Sequence, residues 1–168
     1  MADSASPPAT QHIGGADENS DTGPWAVARY MASVNPVMLS TGMRIIETYE
    51  GYAELAMHIG PEYGNTYGVC HGGIVFSLAD MCFGLAANSY NERCVTASAE
   101  IHYIAPGNVN ADMTAVAKEV WRGPRASLYD VHVRNADGAT AAHVRVRGRI
   151  LGGPVIPPPG SEKPEQLA

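Results

Sequence analysis

A chain of 168 residues, 45% hydrophobic and 17% charged, is long enough for one domain with a proper core and short for two. Its formal net charge of -6 excludes nucleic-acid binding driven by bulk electrostatics. Three cysteines (Cys70, Cys82, Cys94) form no CxxC, and the N-terminus has neither a basic n-region nor an apolar h-region. The expected compartment is therefore a reducing cytoplasm.

Residues 1–24 are rich in Ala, Ser, Asp, Gly and Pro, carry Asp3, Asp17, Glu18 and Asp21 without any Lys or Arg, and are expected to be disordered. Residues 25–34 have a helical pattern that stops at Asn35-Pro36, since proline disfavours a helical predecessor. Two strand-like runs follow, GMRIIETYEG and YAELAMHI, joined around Gly51. A polar loop, PEYGNTYGVC, leads into an apolar run over about 72–89. That run contains Asp80, Asn88 and three glycines, which argues for a buried helix and against a membrane span. Four β-type segments come next, at 94–106, 111–123, 126–135 and 140–151, with Asn135-Ala136-Asp137-Gly138 as a hairpin signal between the last two. The final strand alternates, with Val144, Val146 and Ile150 on one face and His143, Arg145, Arg147 and Arg149 on the other. Residues 152–168 are a Gly/Pro-rich segment expected to be a disordered tail. The folded unit is expected over 25–151.

One long apolar helix and six antiparallel strands make an α+β layer arrangement. The helix lacks a polar face, so it must be buried all round. A single sheet cannot do that alone; it should curl around the helix and a partner subunit should close the rest.

The chemistry sits in NTYGVCHGGIVFSLAD, residues 65–80. An ionised carboxylate such as Asp80 in an apolar run costs several kcal/mol unless it is compensated or used. Asn65 lies six residues before His71, Gly72 and Gly73 follow it, Asp80 lies nine residues after it, and Ser98 eighteen after Asp80. Ala105-Pro106-Gly107 and Tyr129-Asp130-Val131 come later. This spaced set, with the order of elements over residues 40–150, resembles the hotdog-fold acyl-CoA thioesterases, and most of all their PaaI-type (phenylacetyl-CoA) branch. The resemblance implies a sheet wrapped around one central helix, and an acyl-CoA substrate with an aryl, arylacetyl or short-to-medium acyl group. It further implies that Asn65 and the Gly72 amide polarise the thioester carbonyl, that Asp80 drives hydrolysis, and that Ser98 helps to place the water. No metal or redox cofactor is implied. Active sites would lie at a dimer interface, with dimers often paired into tetramers.

Elementary chemistry makes a similar demand. Hydrolysis develops negative charge on the carbonyl oxygen, and N–H groups at a helix N-terminus point at such a charge. Gly72 and Gly73 leave the backbone open to a close approach; His71 and Gly73 are the substrate-binding candidates, His71 shaping the loop by hydrogen bonding rather than acting as a base. A base or nucleophile is still needed, and Asp80 is the candidate. Gly72 and Asp80 are eight residues apart on a helix rising 1.5 Å per residue, about 12 Å. Asp80 therefore serves the carbonyl held by a partner chain whose helix runs antiparallel across a two-fold axis.

Plainer readings exist for each residue. Asp80 could lock helix register, Asn65 could be a turn residue, and Ser98 a packing choice. Cys70 beside His71 lacks the geometry of a nucleophile–base pair. The six histidines include no HxxxH or HxxH, against a catalytic metal. Arg145, Arg147 and Arg149 could meet coenzyme A phosphates but fit a solvated strand face better. Two rival functions are a hotdog hydratase or dehydratase and a non-catalytic acyl-CoA-binding module.

Overall fold

The computed structural model describes residues 21–161. The chain runs α1 (Pro24–Val34), α2 (Pro36–Thr41), β1 (Arg44–Tyr49), β2 (Tyr52–Ile59), a 3₁₀ turn (Pro61–Tyr63), α3 (Gly72–Asn88), β3 (Cys94–Tyr103), β4 (Ala111–Arg122), β5 (Ala126–Asn135) and β6 (Thr140–Ile150). The strands form one antiparallel sheet in the order β1-β2-β4-β5-β6-β3. It curls around α3, as expected from the sequence. Leu78, Ala79, Cys82, Phe83, Leu85 and Ala86 of α3 meet Leu55, Met57, Ala115, Val131, Val144 and Val146 of the sheet in one core. The alternation read in β6 holds, with Val144 and Val146 fully buried and Arg145, Arg147 and Arg149 exposed.

Local chemistry sets the element ends. Asn35 does more than stop α1. Its Oδ1 accepts from the N–H groups of Val37 and Met38 at 2.9 and 3.2 Å, starting α2, with Pro36 at the first position. That short helix was not anticipated. At the far end of α3, Asn88 donates to the carbonyls of Gly84 and Cys94 and accepts from the Cys94 N–H, which locks the helix to the start of β3.

Two features bear on what one chain covers. First, as expected of a single sheet, the chain alone does not bury α3 all round. Gly73 is exposed and Ser77, Asp80, Met81 and Gly84 are only partly buried, and at three-to-four-residue spacing they make one open stripe. Second, the segment after 151 begins docked. The Arg93 N–H donates to the Gly153 carbonyl at 3.0 Å, Asn91 Oδ1 accepts from the Val155 and Ile156 N–H groups, and Val155 is buried. The disorder expected of residues 1–20 and 162–168 concerns positions outside the described residues.

Candidate active site

The site starts from a loop that folds on its own polar groups. The Asn65 N–H donates to the Val69 carbonyl at 2.8 Å, and Asn65 Oδ1 accepts from the N–H groups of Tyr67 (2.8 Å) and Val69 (3.4 Å). This spends the amide oxygen on the loop. The Nδ2 donors are left without a partner among the described residues, which is the polarity an oxyanion requires. Asn65 is thus both the turn residue of the plainer reading and a free donor. The loop is tied down at its end, where the Cys70 N–H donates to Gly107 O and the His71 N–H to Tyr63 O, each at 2.8 Å. A Cβ on Gly107 would lie 2.8 Å from that of Cys70, so only glycine fits there.

His71 caps α3. Its Nδ1 accepts from the Gly73 N–H at 3.0 Å, and its carbonyl accepts from Ile74 and Val75. With Nδ1 accepting, the donor position of the ring is Nε2. His71 therefore builds the loop and, with Gly73, lines a groove. A trans peptide points its C=O and N–H in opposite directions. With His71 O turned into the helix, the Gly72 N–H points out of it, and this N–H has no acceptor among the described residues. The partial positive charge of the helix end adds to it.

Asn65, His71, Gly72 and Gly73 are brought together in one groove of 570 Å³, whose other walls include Val69, Val75, Tyr103, Ile104 and Pro106. A second groove of 410 Å³ shares His71 and Gly73 and is lined by Glu62, Tyr63 and Ser77. Tyr103, which sequence reasoning missed, lies over the helix start. Its hydroxyl donates to Gly72 O at 2.8 Å, and a Cβ on Gly72 would come within 3.0 Å of that hydroxyl.

Asp80 lies on neither groove. It sits half-exposed on the open stripe of α3, and its Oδ1 accepts from Thr96 Oγ1 at 2.6 Å. Oδ2 has no partner among the described residues. Ser98 is not at Asp80. A bulge at Ala97 shifts the pairing of β3 with β6, so Thr96 stands opposite Gly148 and Ser98 opposite Arg147. Gly148 is on the face toward α3 and Arg147 on the face away from it. Thr96 thus takes the place at Asp80 that was expected for Ser98.

The remaining candidates are accounted for. Burial pushes the Cys70 thiol up, away from a thiolate nucleophile. Arg145 is bound bidentately to Asp130 at 2.8 and 2.9 Å, which holds that carboxyl below its ordinary range. Among the described residues, no cluster of His, Cys, Asp or Glu suits a metal ion, and no helix is long and apolar enough to cross a membrane.

Comparison with known proteins gives the same frame. The thioesterase superfamily profile matches residues 67–142. The acyl-coenzyme A thioesterase PaaI of Escherichia coli is 30% identical over 131 residues, 78% of this chain and 94% of that protein. Its structure, described as coming from the phenylacetic acid degradation operon, superposes with a TM-score of 0.77 over 78% of this chain and 95% of the other. The phenylacetic acid degradation protein PaaI of Thermus thermophilus, in a mutant form, matches with a TM-score of 0.66 at 28% identity, over 70% of this chain and all of its own. With this likeness over nearly the whole of the E. coli protein, an HGG-capped helix and a sheet wrapped around it, the chain belongs to the thioesterase superfamily as a PaaI-type hotdog protein and is a thioester hydrolase.

Proposed function

We propose that the protein hydrolyses an acyl-CoA thioester at a site completed by a second copy of the chain. The observation that carries this reading is the attachment of β3 to α3 at both ends. Near its start Thr96 holds Asp80, and at its end Tyr103 holds Gly72. β3 is an edge strand, bonded to β6 on one side only. Two copies of β3, paired antiparallel about a two-fold axis, bring the Thr96 end of one beside the Tyr103 end of the other. Asp80 of one copy then faces the Gly72 amide of its partner, while its own Gly72 lies two helical turns and about 12 Å away. The same pairing covers the open stripe of α3.

In that site the thioester oxygen lies between the Gly72 N–H and Asn65 Nδ2, and the apolar walls of the groove receive the acyl group. Asp80 either takes a proton from the attacking water or adds to the carbonyl carbon itself. In both routes the tetrahedral oxyanion is held by the two donors. Its collapse breaks the C–S bond and the thiolate of coenzyme A takes up a proton. In the general-base route water has by then supplied the second oxygen of the acid. In the nucleophilic route water next cleaves the Asp80–acyl anhydride, releasing the acid and restoring the carboxylate. The phenylacetic acid degradation operon from which the E. coli relative comes favours aryl and arylacetyl groups over short and medium aliphatic ones as acyl candidates. Three free, buried cysteines and a coenzyme A ester as substrate fit the cytoplasm. The outer sheet face leaves room for dimers to pair into a tetramer.

Thiol release over a panel of acyl-CoA esters tests the reading. Wild type is expected to release thiol, and Asp80→Asn to lose roughly 10²-fold or more of kcat at unchanged melting temperature. The amide is nearly isosteric and still accepts from Thr96, so no cavity or orphaned hydroxyl results. A change in enoyl absorbance without thiol release would make the protein a hydratase instead. Binding with neither would make it a binding module.

A further inference from the structure

We infer that Tyr103 is a positioning residue, whose hydroxyl holds the Gly72–Gly73 peptide and, through the Gly72 Cα that this peptide shares with the His71–Gly72 peptide, keeps the Gly72 N–H aimed at the thioester oxygen. The inference rests on the thioester hydrolysis proposed above and adds a residue to it. The peptide in question joins Gly72 to Gly73. Its N–H end is fixed by His71 Nδ1 at 3.0 Å, and its C=O end by the Tyr103 hydroxyl at 2.8 Å. These two contacts come from opposite sides of the helix start, one from the loop and one from the end of β3.

Such a clamp has a physical reason. Two consecutive glycines are the most permissive backbone a chain can have, and ordering them costs more than ordering any other pair. An oxyanion donor is effective only if it is already oriented when charge develops, because reorientation during the reaction cancels the gain. Glycine at 72 is also what admits the clamp. A Cβ there would stand 3.0 Å from the Tyr103 oxygen and 3.1 Å from the ring carbon that bears it. Within one chain Tyr103 is 55% exposed and outside the core, so its hydroxyl has little to do with holding the fold of the subunit.

The test is Tyr103→Phe, which keeps the ring against Gly72 and removes only the O–H. With an acyl-CoA that wild type hydrolyses, kcat should fall about 3- to 10-fold, the range of one net hydrogen bond. KM, the affinity for a non-hydrolysable thioether analogue of the same ester, and the melting temperature should stay at wild-type values, since the aim of the amide matters only once the oxyanion forms. An unchanged kcat would overturn the inference. So would a joint loss of kcat, analogue binding and melting temperature, which would make Tyr103 a structural residue. If wild type itself releases no thiol from any ester, the thioesterase reading fails first and this inference falls with it.

Discussion

Thr96 and Ser98 separate what a sequence can and cannot tell about a single residue. The His-Gly-Gly cap, Asn65 and Asp80 are legible because each stands at a fixed distance along a loop and one helix, where geometry follows from counting. The partner of Asp80 sits across the fold on a strand, and strand faces follow parity. Strict alternation would put Thr96 and Ser98 on the same face, but the extra residue at Ala97 puts Thr96 toward α3 and Ser98 away from it. Nothing in VTASAEI announces that bulge. The consequence can be measured. Thr96→Val removes the 2.6 Å bond to Asp80 while keeping the branched shape, and kcat should fall about 3- to 10-fold, as for one net hydrogen bond. Ser98→Ala should stay within about twofold of wild type. Assays of both variants on one ester decide between them, and the reverse pattern would return Ser98 to the site.

At the level of elements, α3 is held by polar groups at both ends. His71 caps the start. At the far end Arg122, paired with Glu92 at 2.6 Å, donates to the Ala87 carbonyl, and Asn88 ties the helix to β3. The sequence announced the helix through its apolar run but not these ties, which join residues distant in the chain. The strap after β6 belongs with them. Asn91, with φ at 52°, binds the Val155 and Ile156 N–H groups, and Arg93 exchanges backbone bonds with Leu151 and Gly153. Gly and Pro content alone read as tail, because composition cannot register a partner 60 residues upstream. A chain of residues 22–151 should therefore be less stable than one of 22–157. Loss of four hydrogen bonds and of buried Val155, offset by the entropy the released residues regain, amounts to about 1–3 kcal/mol, or a melting temperature roughly 3–10 °C lower. Equal thermal melts for the two chains would mean that the strap contributes nothing.

For the whole molecule, one ground for the proposed second copy was legible: a helix with no polar face cannot be covered by a single sheet. Strand order was not legible, and it is strand order that leaves β3 with a free edge beside the open stripe of α3. Both surfaces predict a shared site, and two inactive proteins test it. Asn65→Ala and Asp80→Ala are prepared separately and mixed under conditions that let subunits exchange. If each site takes Asn65 from one chain and Asp80 from the other, a mixed dimer has one site with both lesions and one with neither. Random pairing makes about half of the dimers mixed, so roughly a quarter of wild-type activity should return. If both residues served a site within one chain, every site in a mixed dimer would keep a lesion and nothing would return. Mass-tagging one parent establishes exchange independently. With exchange demonstrated and no activity recovered, the antiparallel β3 pairing and the two-turn separation of Gly72 from Asp80 would lose their functional meaning. The catalytic carboxylate would then have to be sought within the same chain.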